Sequence, residues 1–463
     1  VRVLCIAALA ASCGGDDSPV LALTGATLYD GTGAAPIADA VVLVDSATIR
    51  CAGSRADCPV PRGATVEDVA GRFITPGIVD AHVHVGQTGW LDGRPDGIDL
   101  RARYPYETVI ASLRDDPDRW YRSWACAGIT AAYDVGGMAW TVAQARRDAS
   151  RRDAPHMLAA GPLISHAGRA VLSIPGDSTF IMLTSADAGV AGVRALKAMD
   201  AAAVKVWLLG PPDGQWEEIR TRFAAVAAEA KAQGLPLIVH ATSIREAREA
   251  VGAGAHMLVH SVDDAVVDSA FVRALVEAGT VYVPTLIVGS NGGAAVMAGA
   301  AGQVPEISDP LGCVDAALRA RIAEAGELQS LYADPIGMLT RGVARERAAL
   351  VSDSVMGENL RRLHAAGATI AVGTDAGNPL TLHGASMLDE LAAMERAGLH
   401  AESLLVMATR NGARAMRRTD FGTLGAGKSA DLLVLGSDPG AGMAAGLASR
   451  QRVMLKGQWV TLR

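Results

Sequence analysis

The stretch Thr75-Pro76-Gly77-Ile78-Val79-Asp80-Ala81-His82-Val83-His84 constrains this chain more than any other. Its apolar run from Ile78 to Val85 stands between Pro76-Gly77 and Gly86, which predicts a short buried strand. Side chains alternate along a strand, so His82 and His84 share one face while Val83 points away. Two imidazoles on one face can share a metal ion. An isolated His-x-His is more often a pair of ordinary histidines on a half-buried strand, so the remaining ligands must come from elsewhere in the chain.

With 463 residues, half of them hydrophobic, the chain can bury one large core and a smaller one. A net charge of -7 and a pI near 5.8, with no basic stripe, give nucleic-acid binding no support. The first residues read differently. Arg2, the apolar Val3 to Ala11, and Ser12-Cys13-Gly14-Gly15 resemble a bacterial lipoprotein signal with Cys13 as the lipidated residue. That resemblance implies a periplasmic or cell-envelope protein whose membrane contact is the lipid on Cys13, followed by a polar linker. An oxidising compartment would permit a disulfide between Cys51 and Cys58. Cys126 and Cys313 stand singly and are expected to be packing residues or inert thiols.

Four segments follow: a signal and linker over 1–19, short strands over 20–74, a long alternating region over 75–418, and short strands again over 419–463. Neither terminal set forms a core alone, so the two are expected to pair into one small β-sandwich subdomain. Between them, strand-like runs alternate with helical patterns. After the His-x-His strand come Thr130–Asp134, His156–Ala160, Ala203–Leu208, Leu237–Ala241, Met257–Ser261, Thr280–Pro284 and Thr369–Asp375. Eight such units fit an α/β (β/α)8 TIM barrel. Trp216–Gln233 carries one apolar face of Ile219, Phe223, Val226 and Ala230, ended by Gly234-Leu235-Pro236. The interval from Gly289 to Ala366 fits one unit poorly and reads as an elaborated loop with extra helices.

In a parallel barrel the reactive groups stand at the C-terminal strand ends, and the polar residues of this chain lie there. His82 and His84 end the first strand, His240 the fifth, His260 the sixth and Asp375 the eighth. Imidazoles and a carboxylate at five converging positions point to a zinc-like site. Lys205 stands inside the apolar run Val204-Lys205-Val206-Trp207-Leu208. Its tip either reaches the barrel mouth or Asp375, or loses its proton and takes up carbon dioxide as a carbamate able to bridge two cations. The surrounding histidines favour the carbamate.

These pieces, with Tyr133-Asp134-Val135-Gly136-Gly137, Val283-Pro284-Thr285-Leu286, Gly373-Thr374-Asp375-Ala376-Gly377 and Gly427-Lys428-Ser429-Ala430-Asp431-Leu432, resemble the amidohydrolase superfamily, in the branch similar to imidazolonepropionases and metal-dependent Xaa-Pro dipeptidases. The resemblance implies that His82, His84 and Asp375 hold one divalent metal, expected to be zinc. It implies that His240 and His260 hold a second, with carboxylated Lys205 and a hydroxide bridging them. The hydroxide would attack an amide carbonyl and Asp375 would carry the proton to the leaving nitrogen. His383 matches a histidine that orients substrate or Asp375, and a helix N-terminal role is its alternative. His240 is followed by Ala241-Thr242-Ser243-Ile244, without the glutamate of deaminating relatives, which favours hydrolysis.

The expected substrate is a small-molecule amide, a dipeptide or N-acyl amino acid, with a cyclic amide as the alternative and an inactive binding protein further behind. Thr242 and Val259-His260-Ser261 depart from the branch's pattern at the pocket. Gln87, Trp90, His166, Arg169, Trp207, Arg245 and Tyr332 are candidates to line that pocket, an arginine among them suiting a free substrate carboxylate. Homo-oligomer formation stays open.

Overall fold

Short apolar strands alternating with amphipathic helices give the middle of the chain two parallel sheets. The computed structural model describes residues 20–210 and 214–461. The signal-like segment and Cys13 lie outside the described residues. One sheet has three strands in the order Ile78–Val83, Ile129–Asp134, His156–Ala159. The other has six, in the order Phe180–Met182, Leu163–Ser165, Val204–Trp207, Leu237–His240, Met257–Val259, Val281–Val283. A backbone bond runs between the sheets, from Ala202 N–H, just before Val204–Trp207, to Ala159 O at 2.9 Å.

Two expectations about these strands need correction. Leu163–Ser165 and Phe180–Met182 were not anticipated; at three residues each they are too short to show a period. Thr369–Asp375, expected as the last strand, forms no continuous ladder: Ile370 bridges Tyr282, Ala376 just beyond it bridges Val83, and single backbone bonds join Ala371 to Tyr282 and Val372 to Ala81. The physical reason is local. Thr374 N–H turns to the Asp80 carboxylate at 3.0 Å, and Asp375 takes a left-handed backbone with φ 62°. Gly373 is required beside it, since a Cβ there would meet Val283 at 2.6 Å and His82 at 2.8 Å.

Val79, Ala81, Ala131, Tyr133, Ala203, Ile238, Met257, Val259, Val281, Val283 and Ala371 form one buried cluster drawn from strands of both sheets. Ala203 and Ile238 precede Lys205 and His240 by two positions, so the two-residue period sets lysine and imidazole on the same side as that cluster, one step nearer the strand ends. Helices cover the opposite face. Trp216–Ala232 buries Ile219, Phe223, Val226 and Ala230 as its sequence requires, and Ser243 with Glu246 closes a capping box at the start of Ile244–Gly252, directly after the His240 strand.

The segments near the two chain ends meet in a separate eight-stranded sheet. Leu432–Leu435 pairs antiparallel with Phe73–Pro76, and Leu21–Leu28, Ile37–Asp45 and Thr48–Gly53 extend the sheet on one side, with Thr65–Asp68 parallel to Leu21–Leu28, and Arg450–Leu455 and Gln458–Trp459 on the other. Gly77 joins this sheet to the His82 strand, donating to Asp431 O at 3.0 Å. A Cβ at Gly77 would meet Thr130 at 2.2 Å, so only glycine fits the joint.

Between Val281–Val283 and the Asp375 segment lie the helices Val288–Ala301, Ala316–Ala323 and Pro335–Ala365. Among the described residues no helix is long and apolar enough to cross a membrane. Cys51 and Cys58 form a disulfide. Cys126 and Cys313 also form one, correcting the expectation of inert thiols; it ties the helix Asp118–Ala127 to the segment before Ala316. At a sequence separation of 187, nothing local in the sequence announces the pair.

Candidate metal centre

Three donor atoms meet at the end of the first strand. His82 Nε2 and His84 Nε2 are 3.3 Å apart, and they stand 3.1 and 3.0 Å from Asp375 Oδ1. A bulge in the pairing of Ile78–Val83 with Ile129–Asp134, between Asp80 and Val83, aims the imidazoles this way. Asp375 is brought opposite by its own N–H, which donates to His82 O at 2.8 Å. His260 closes the group: its ring centroid is 5.0 Å from that of His82, and its Nδ1 lies 3.9 Å from Asp375 Oδ2 and 2.8 Å from Thr285 Oγ1. His82, His260 and Asp375 each offer an atom within 4.8 Å of the others. His260, Thr285 and Asp375 all have positive φ, at 71°, 46° and 62°, strain of the kind that collects at functional sites.

His240 joins through His260, ring centroids 4.3 Å apart, with Trp207 5.7 Å on its other side. Lys205 is wholly buried, and its Nζ has no hydrogen-bond partner among the described residues; nor do His82 Nδ1 and His240 Nδ1. Burial brings the Lys205 ammonium down to about 7, against the pull of Asp375 and Asp134. Burial likewise brings His82 to about 4 and His240 to about 3, and takes His260 well below its ordinary value. These imidazoles are therefore neutral, the form that ligates a metal. Burial opposes the charge on Asp375, but His82 and His84 beside it hold its carboxyl well below the usual range.

The donor set fits a cation. His84 Nδ1 donates to Gly136 O at 2.6 Å, so its Nε2, 3.0 Å from Asp375 Oδ1, needs a positive charge, a proton or a bound cation, between the two atoms. Orphaned nitrogens on Lys205 and His240 extend the same demand for a ligand. Open clefts elsewhere, such as the one lined by Tyr29, Glu402 and Asn411, contain no pair of imidazoles.

Other expected residues fall differently. His383 is buried against Trp120 and Trp124, ring centroids 4.2 and 5.6 Å away, rather than among the donor atoms. Trp90 is fully buried in the large core, and Tyr332 donates to Val296 O. Arg245 stacks 3.9 Å over Trp216, and Arg169 is exposed. Gln87 and His166 are partly buried, with Oε1 and Nδ1 lacking partners among the described residues.

Sequence reasoning missed the supporting carboxylates. Asp80 accepts from Thr374 Oγ1 at 2.7 Å and from Thr374 N–H, locking the Asp375 segment to the His82 strand. Asp134 stands 3.9 Å behind His84 Nδ1, fully buried. The signal for Asp134 was its place at a parallel strand's C-terminal end.

A family comparison agrees with this geometry: the Amidohydrolase family model matches residues 73–460. The chain belongs to the amidohydrolase family. As such it is a hydrolase acting on carbon–nitrogen bonds. Curated proteins include no match to its sequence. Among solved structures, this amidohydrolase resembles a Xaa-Pro dipeptidase with bound methionine in the active site (TM-score 0.68, 20% identity, 95% of this chain and 99% of the other covered). It also resembles a prolidase complexed with N-methylphosphonate-L-proline (0.67, 20%, 96% and 99%), and A. niger ochratoxinase (0.67, 19%, 95% and 95%). At these identities the likeness is one of fold.

Proposed function

We propose that this amidohydrolase cleaves a linear amide, that of a dipeptide or N-acyl amino acid, at a binuclear centre. The observation that carries the reading is the convergence of His82, His84, His260 and Asp375, with neutral His240 and unpartnered Lys205 beside them. His82, His84 and Asp375 would hold one divalent cation and His240 and His260 another, zinc in both places, with Lys205 bridging as its carbamate. Bound there, such cations make water nucleophilic near neutral pH and polarise a carbonyl.

The chain's own residues do the rest. Asp375, kept anionic by its histidine neighbours, accepts the proton as the water oxygen adds to the carbonyl carbon. It returns that proton to the nitrogen as the carbon–nitrogen bond breaks, so that a neutral amine leaves. Asp80 and Thr374 hold the Asp375 segment in place during the transfer. Trp207, beside His240, walls one side of the site, while His383 packs against Trp120 and Trp124. Dipeptidases and prolidases among the fold's neighbours favour the linear amide over the cyclic alternative.

The two parallel sheets, linked by backbone bonds and by the bridges at Ile370 and Ala376, are read as one closed (β/α)8 barrel over 75–418, with 20–74 and 419–463 forming the terminal subdomain. Two disulfides support an extracytoplasmic enzyme, anchored through Cys13. The test is amine release from dipeptides and N-acyl amino acids by zinc-loaded protein, with Asp375→Asn as control. Release by the wild type alone is expected; silence across the panel with metal bound would move the reading to cyclic amides.

A further inference from the structure

A dipeptide or N-acyl amino acid carries a carboxylate on its leaving half, and of the two arginines singled out in the sequence one is exposed and the other stacks on Trp216. Arg94 instead is tied to the donor cluster through Asn378 and the backbone of Asp375. We propose that Arg94 receives the substrate carboxylate, so that the leaving amine is an α-amino acid; this rests on the hydrolytic reading above.

Arg94 follows the short turn Leu91–Gly93 in the loop after the His82–His84 strand. Its Nε and Nη2 fork the Asp96 carboxylate at 2.8 and 2.9 Å, which fixes the plane of the guanidinium. Its Nη1 donates to Asn378 Oδ1, and Asn378 Nδ2 in turn donates to the carbonyl of Asp375 at 3.1 Å. Two hydrogen bonds thus separate the guanidinium from the backbone of the proton-carrying residue. Asp96 is 8% exposed and Arg94 is 22% exposed, so the pair is seated in the wall while the arginine still reaches open space.

A guanidinium has five N–H donors. Three are used here, leaving one on each terminal nitrogen without a partner among the described residues. Charge agrees, because Arg169 also acts on Asp96, giving the trio one net positive charge. Arg94 is also near enough to Asp375 for the two charges to attract.

The competing role for Arg94 is a brace for Asn378, and the two roles separate on substrate charge. Wild type, Arg94→Gln and Arg94→Lys are assayed on dipeptides and N-acetyl amino acids against their C-terminal amides. Calorimetry in parallel measures binding of L-leucine against L-leucinamide, with thermal melting to confirm folding. Wild type is expected to favour the free acid about ten- to a hundredfold in kcat/KM and in binding, as loss of a charged hydrogen bond predicts. Arg94→Gln should erase that preference and Arg94→Lys keep part of it. Equal treatment of acid and amide by the wild type, or an equal loss on both in Arg94→Gln, would overturn the proposal. Arg94-dependent preference for leucine in a protein that hydrolyses no amide would keep the carboxylate receptor and remove the hydrolytic reading instead.

Discussion

His82, His84 and Asp375 bring their donor atoms within 3.0 to 3.3 Å of one another and are laced to Asp80, Thr374 and Gly136. His240 and Lys205, a few ångströms away, carry nitrogens with no hydrogen-bond partner among the described residues and are held by packing against His260 and Trp207 and by burial. One half of the cluster is organised by the protein's own polar contacts. The other is shaped by apolar walls, and both halves keep buried atoms without hydrogen-bond partners among the described residues, His82 Nδ1 and Asp375 Oδ1 in the first and Lys205 Nζ and His240 Nδ1 in the second. Another buried lysine sharpens the contrast: Lys456 donates from Nζ to Arg151 O at 2.6 Å, so burial of a lysine here does not by itself leave it unpaired.

This contrast can be broken experimentally. The largest effect is expected at the organised half: Asp375→Asn should lower amide hydrolysis by about 10²–10⁴-fold, measured as amine release. At the packed half, Lys205→Ala should cost about one of two bound metal ions, read by elemental analysis, with partial recovery in added short carboxylates. Full occupancy in that variant would assign Lys205 a purely structural place. Replacing Cys126 and Cys313 together by serine should lower unfolding free energy by about 3–5 kcal/mol in denaturant titration, because the closed loop is long. The same change at Cys51 and Cys58, only seven residues apart, should cost about 2 kcal/mol. Smallest is Thr374→Val, which removes one hydroxyl bond to Asp80 and should cost about 1–2 kcal/mol while His240 and Lys205 keep their geometry.

Much of the cluster was legible because its residues end apolar runs. His240 and His260 close short strands whose hydrophobicity marks them, and the His-x-His spacing sets two imidazoles on one side. Asp375 was found at the end of a run that looks like a strand but forms no continuous ladder, since Thr374 N–H goes to the Asp80 carboxylate and the φ of Asp375 turns positive. Asp80 and Asp134 lay in the motifs already quoted, yet burial alone distinguishes them from surface carboxylates, and burial is a property of the packed chain. Arg94 stands among Asp92, Gly93, Pro95, Asp96 and Gly97, a composition that says turn and nothing more. Its partner Asn378 is 284 positions away.

The Cys126–Cys313 bond divides the site by covalent connectivity. The closed loop it makes contains both parallel-sheet strands that carry Lys205 and His240, together with His260, whereas His82, His84 and Asp375 lie outside it. A protease that cut once at a turn inside the loop, for instance beside the exposed Gly254 between Ile244–Gly252 and Met257–Val259, would leave every fragment still joined to the rest. The nicked chain would run as one molecule until reduced.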